Sequence, residues 1–216
     1  MAGILEVLRR PVFFELLRTH VLLSMAALFI GIAIALPVAL AIRNTTLGAA
    51  LAVNVGNIGR AVPSLAILAL CQPLLGFGFD TALVALTALA IPPILINAST
   101  GLREVSRDVI DAARGMGLSG GQILTRIQLP IAAPVIFAGI RTSAVQVVAS
   151  ATLATFIGGG GLGDLIVEGT QLNDTTILLA GSFAVAILAI ITEVGFGALE
   201  RGLTPKGLKI AQKRGR

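Results

Sequence analysis

An all-α, polytopic membrane fold with about five transmembrane helices is what this sequence predicts, and three observations lead there. The first is a shortage of charge: 56% of the 216 residues are hydrophobic and 12% are charged, about half the charged fraction of a soluble domain. The second is the length of the uncharged runs, since 18 or more apolar residues suffice to cross roughly 30 Å of hydrocarbon as a helix. The third is the segregation of the basic residues, which flank the apolar runs and leave some connecting segments without any Lys or Arg.

The spans are expected in order along the chain. The first runs from His20 to Ile42. The second ends near Leu75 after a lead-in holding Asn54, Asn57 and Arg60. The third covers Thr81 to Ser99 and is expected to be interrupted at Pro92-Pro93. The fourth runs from Ile131 to Ile157 and the fifth from Thr175 to Leu199. Arg43 follows span one. Arg103, Arg107, Arg114 and Arg126 lie between spans three and four, and Arg201, Lys206, Lys209, Lys213, Arg214 and Arg216 follow span five. The segments Gln72 to Asp80 and Gly158 to Asp174 hold no Lys or Arg. Five spans place all the basic segments on one face, the cytoplasm, with the C-terminus inside. The chain then divides into an N-terminal interfacial segment (1–19), a transmembrane domain (20–199, with its main cytoplasmic loop about 101–130) and a basic cytoplasmic tail (200–216).

An odd number of spans puts Arg9, Arg10 and Arg18 outside. A helix from Ile4 to Leu17 lying at the interface accommodates them, and a missed span is the competing account. The N-terminal stretch has no small-residue cleavage site, so no signal peptide is expected. Cys71 is the one cysteine and reads as a small buried hydrophobe. The net charge of +5 fits the positive-inside pattern, and no nucleic-acid partner is expected.

The loop between spans three and four carries the most information. Ser106 can cap a short helix with Asp108 in its first turn. Val105, Val109, Ala112, Ala113 and Met116 share one face at helical spacing, and Arg107, Asp108, Asp111 and Arg114 the other. Gly115 and Gly117 stop that helix. Ser119 and Gln122 have the spacing of a capping box and start another, which Pro130 is expected to close. An amphipathic connector explains this pattern as well as a docking element does.

The spacing breaks the tie. The pattern D-A-A-x3-G-x9-I-x-L-P, met by Asp111, Ala112, Ala113, Gly117, Ile127, Leu129 and Pro130, resembles the signature loop of permeases in binding-protein-dependent ABC importers, with Asp in place of the usual Glu. The resemblance implies a type I importer fold. It also implies that Asp111, Ala112, Ala113 and Gly117, with Arg107 and Arg114, dock on an ATPase subunit. Three further stretches, from Asn57, Ala112 and Ala138, resemble permeases for glycine betaine, carnitine or choline, and the first of them implies that Pro63-Ser64 opens span two.

Other features refine the picture. The run GGGGLG from Gly158 is no phosphate loop, because no G-x4-G-K-[ST] occurs and the three lysines lie in the tail. Gly158, Gly159, Gly160 and Gly161 read as a tight turn against another subunit or the translocation gate, with a plain flexible loop as the alternative. Ser143, Gln146, Ser150 and Thr152 make span four more polar than a lipid-facing helix needs, which suits a pathway or tight helix packing. Arg141 is expected about one turn into span four, as an anchor reaching headgroups or the loop acids rather than as a substrate ligand. Glu193 is expected to pair with a basic tail residue, Asn97 and Ser99 to satisfy backbone groups freed by Pro92-Pro93, and His20 to sit at the interface. No Trp or Tyr is present to build a cage for a quaternary ammonium ion, so solute selection is assigned to an external binding protein.

The reading is therefore a transporter subunit with no catalytic residue, metal or cofactor of its own, since ATP and Mg would be bound by the partner. The resemblance implies two ATPase subunits, a second permease copy or paralogue, an extracytoplasmic binding protein and a bacterial inner membrane. Alternatives are a permease of the same family for methionine or another amino acid, an ion-gradient-driven secondary transporter, for which Glu193 is the one acid inside a span, and a non-transporting scaffold.

Overall fold

The computed structural model describes residues 2–203, and every regular element among them is helical. Four helices are long and apolar enough to cross a membrane, and a bent pair makes a fifth crossing if it counts as one span. Lys206, Lys209, Lys213, Arg214 and Arg216 of the basic tail lie outside the described residues.

A short helix, α1 (Ala2–Arg9), precedes α2 (Pro11–Ile42), which starts where Pro11 occupies the first helical turn. The first span is thus the inner part of one 32-residue helix. The Ile4 to Leu17 segment packs in part on the bundle. Val7 is buried beside Leu162, Leu165, Ile177 and Ala180, with Phe13, Leu16 and Leu17 packed on the same cluster. Leu5, Val12 and Phe14 of the same segment are exposed.

The second span is broken. Helices α3 (Thr46–Ala61) and α4 (Ser64–Leu75) meet at 92°. The cause is Pro63, whose ring disfavours the helical conformation at the residue before it, and Val62 is extended at φ −73°, ψ 127°. Helix α5 (Phe79–Arg103) is the central post. It runs through Pro92-Pro93 as one helix, so the expected interruption does not occur. Asn97 Nδ2 donates to the Pro93 carbonyl at 2.8 Å, whereas the Ser99 hydroxyl is buried without a partner. Close approach holds α5 in place. A Cβ on Gly139 would stand 2.6 Å from that of Asn97, and one on Gly31 would stand 2.7 Å from that of Ala90. Only glycine at these positions lets its neighbours pack so tightly.

After the 103–119 connection the chain is helical from Gly120 to Ile157. A short turn of α-helix, α7 (Gly120–Ile123), leads through a π-helical turn (Leu124–Gln128) into α8 (Leu129–Ala151) and a 3-10 segment (Thr152–Ile157). Pro130 therefore does not close a helix. The wider π turn, with Leu129 N–H bonded to the Leu124 carbonyl, gives its ring room without breaking the rod. Helices α9 (Gly163–Gln171) and α10 (Thr175–Leu203) complete the bundle. The two ends are distinct. One carries residues 43–46 and 103–120, and the other carries Gly76–Gly78 and the glycine run, where Gly78 N–H donates to the Ile157 carbonyl at 2.7 Å.

Candidate coupling site and glycine-rich turn

The loop expected to dock a partner is a built element. Ser106 Oγ accepts from Asp108 N–H at 3.2 Å and opens α6 (Arg107–Gly115). Gly117 ends it at φ +82°, a left-handed conformation that favours glycine. Two bonds close the turn, Gly117 N–H to the Arg114 carbonyl at 2.9 Å and Leu118 N–H to the Ala113 carbonyl at 3.1 Å, the paired arrangement of a Schellman motif. Ser119 and Gln122 then exchange both bonds of a capping box. Both helix boundaries follow from these residues.

The five apolar residues assigned to one face divide into two sets. Val105 and Ala113 are buried against the bundle, whereas Val109, Ala112 and Met116 are exposed, Met116 at 72%. Positions 109, 112 and 116 form an unpartnered apolar stripe at i, i+3, i+7 spacing. Arg107, Asp111 and Arg114 lie on the other side, lining a polar groove. Asp111 accepts from Arg114 at 3.1 Å, an exposed pair that adds little stability. Ile127 and Pro130 are half-buried in the π turn and its continuation, and Leu129 packs on the inner core.

The residues proposed for a pathway occupy two environments. Ser143 is fully buried and donates to the Ala90 carbonyl at 2.9 Å, tying α8 to α5. Ser150 is buried, Gln146 is half-buried, and Thr152 Oγ1 is buried without a partner. Pro63 and Gly158, by contrast, are exposed, with Ser64 half-buried at the start of α4. The glycine run folds back into its own bundle. Gly158, Gly160 and Gly161 all have positive φ, and a Cβ on Gly159 would meet that of Ala82 at 2.7 Å. Close packing within the chain therefore requires these glycines.

Comparison with known proteins decides the family. The model of the binding-protein-dependent transport system inner membrane component family matches residues 27–205. The chain belongs to that family. The Listeria monocytogenes carnitine transport permease protein OpuCB is 41% identical over 91% of this permease and 90% of its own length. The Bacillus subtilis glycine betaine/carnitine/choline transport system permease protein OpuCB is 41% identical over 88% of each chain. Among solved structures, the MetNI methionine ABC transporter in an inward-facing form matches 89% of the permease and 96% of that chain at a TM-score of 0.78 and 23% identity, a likeness of fold. The chain is thus an inner-membrane permease subunit of an ABC importer, not an enzyme.

Two residues of the permease are tied into the bundle by long-range contacts, and the first is Arg141. It lies in the middle of the Gly120–Ile157 rod and pairs with Glu193 at 2.9 Å and Glu200 at 3.0 Å, both on α10. Glu193 therefore pairs with span four, and the tail lysines expected near it lie outside the described residues. His20 is likewise enclosed by the bundle, being 0% exposed. Its Nε2 donates to the Val148 carbonyl at 2.9 Å, and its Nδ1 accepts from Leu162 N–H at 3.3 Å. One neutral ring thus joins α2, α8 and the end of the glycine run. His20→Leu leaves both backbone groups buried and unmatched at about 1–3 kcal/mol each. It is expected to lower the melting temperature of the purified permease by several degrees, with His20→Gln losing less.

Proposed function

We propose that this permease forms half of the membrane pore of an importer for quaternary-ammonium osmoprotectants such as glycine betaine, carnitine and choline. A second permease copy or paralogue completes the pore, two ATPase subunits drive it, and an extracytoplasmic binding protein loads it. One observation carries the reading of energy coupling. The α6 helix is fixed at both ends and on its Ala113 side, yet it turns an apolar stripe away from the bundle. Rigid mounting suits an element that passes on a push, and an exposed apolar stripe suits a protein partner. The alternating-access cycle then runs from the ATPase through Asp111, Ala112, Ala113 and Gly117 into the π turn at Ile127, Leu129 and Pro130, and so into α8. In this reading the C-terminus and α6 face the cytoplasm. Pro63, Ser64, Gln146, Thr152 and the glycines from Gly158 to Gly161 belong to the pathway or its outer gate. A ligand can drive such a cycle only through its difference in affinity for the two states.

The solute assignment rests on the named relatives and is tested directly. The permease is reconstituted in proteoliposomes with its ATPase, companion permease and binding protein, and uptake of labelled glycine betaine is followed. The expected result is uptake that requires ATP, is suppressed by excess choline or carnitine and is indifferent to methionine. Suppression by methionine would move the assignment to amino acids, and uptake driven by an ion gradient without ATP would remove the ATPase from the mechanism.

A further inference from the structure

A polar groove of about 550 Å³ lies at the end of the bundle that carries α6, between the α2–α3 connection, the end of α5 and one side of α6. Four guanidinium groups line it, those of Arg43, Arg103, Arg107 and Arg114, against one carboxylate, Asp111, which is already engaged by Arg114. Arg43 is half committed. Its Nη1 donates to the Leu40 carbonyl at 2.6 Å, while its Nε is buried without a hydrogen-bond partner. Arg103 and Arg107 are exposed and form no ion pair among the described residues. The amino end of α3 opens on the same groove through Thr45 and Thr46. The Thr45 hydroxyl points back to the Ile42 carbonyl instead of capping the helix, so the first-turn N–H groups of α3 lack a side-chain acceptor. Unmatched guanidiniums beside an uncapped helix start are the chemistry that holds a phosphate.

A second feature narrows the ligand. An apolar crevice of about 230 Å³ runs between α2, α5 and α8, lined by Leu36, Leu40, Leu102, Phe137 and Ile140 among others. Leu102 lines both spaces. Arg43 directly follows the last residue of the first span, and Arg103 is the last residue of α5, so the charged groove stands at headgroup depth with the crevice on its membrane side. We infer that groove and crevice together bind an acidic phospholipid, its phosphodiester held by Arg43, Arg103 and Arg107 and an acyl chain laid in the crevice. The surplus positive charge favours a lipid of net negative charge and repels the cationic headgroup of phosphatidylcholine. A free phosphate would use the groove and leave the crevice unexplained. The ligand sits on the Arg107–Asp111–Arg114 side of α6, so the stripe of Val109, Ala112 and Met116 stays open to a protein. A bound lipid would thus brace the root of α6 without competing for its outer side.

Native mass spectrometry of the purified transporter, titrated with phosphatidylglycerol or phosphatidylcholine, tests this. Wild-type protein is expected to retain phosphatidylglycerol at least tenfold better. The Arg43→Gln/Arg103→Gln variant, which leaves α6 untouched, is expected to lose about tenfold or more of that retention while keeping its melting temperature and its ATPase. Should that variant fold poorly, Arg43→Lys/Arg103→Lys keeps the charge and is expected to retain an intermediate amount. Ala133→Phe, at a half-buried position lining the crevice, is expected to reduce retention by filling it. Equal retention of the two lipids, or no effect of the arginine pair, would overturn the inference. Displacement of the lipid by excess inorganic phosphate, combined with no effect of Ala133→Phe, would also overturn it by making the ligand a free anion.

Discussion

Arg141→Leu is expected to lower both the yield and the melting temperature of the folded permease, and adding Glu193→Gln and Glu200→Gln is expected to bring part of the loss back. The guanidinium lies midway along the Gly120–Ile157 helix and engages both glutamates. All three side chains are partly exposed, at 37%, 47% and 23%, and within an apolar helix pair each charge is more tolerable for its partners. Removing the arginine takes its charge from both carboxylates, and breaking a half-exposed cluster of this kind from one side falls between the ~1 kcal/mol of a surface pair and the roughly 3–5 kcal/mol of a buried one. Neutralising all three removes the repulsion between the carboxylates along with the attraction to the arginine. Yield of monodisperse protein and melting temperature in detergent report the outcome. If Arg141 acted instead as a headgroup anchor, the triple variant would be no better than the single one.

That arrangement also shows where sequence reasoning stops. Spans one, three, four and five were legible because each is an apolar run bounded by charge, and α6 was legible because Ser106, Gly117, Ser119 and Gln122 form caps that act over three or four residues. Prolines were judged less well. Pro92-Pro93 and Pro130 leave their helices continuous, the first pair in a helix packed closely against Gly139 and the last after a π turn. Pro63, flanked by no such support, does break the chain through 92°. The partners of Arg141 and His20 lie 52, 59, 128 and 142 positions away, separations at which no local pattern helps. The groove at Arg43 and Arg103 was missed for the same reason, since the two residues come together only when α2 and α5 end side by side. A useful sign was present nonetheless: an ionisable residue inside or at the rim of an apolar run needs a partner, and both Arg141 and His20 have theirs.

The second large effect separates two adjacent alanines of one motif. Ala113 is 0% exposed and faces the bundle, whereas Ala112 is exposed in the stripe that ends at Met116. Ala113→Arg forces a charge into a packed site and is expected to destabilise the permease by several kcal/mol, visible in the isolated chain as lost yield or a lower melting temperature. Ala112→Arg projects into solvent, so the isolated permease should melt within a degree or two of wild type. Its effect should fall on the assembly. A long charged side chain in the centre of a small-residue contact is expected to abolish co-purification with the ATPase and to reduce ATP-driven uptake at least tenfold, since loss of about 1.4 kcal/mol of contact energy already costs a factor of ten. The pair is informative because the two changes are chemically identical and one residue apart. If Ala112→Arg left ATPase capture and uptake intact, the outward stripe would not be the docking surface. The groove-side residues Arg107, Asp111 and Arg114 would then have to carry the coupling on their own.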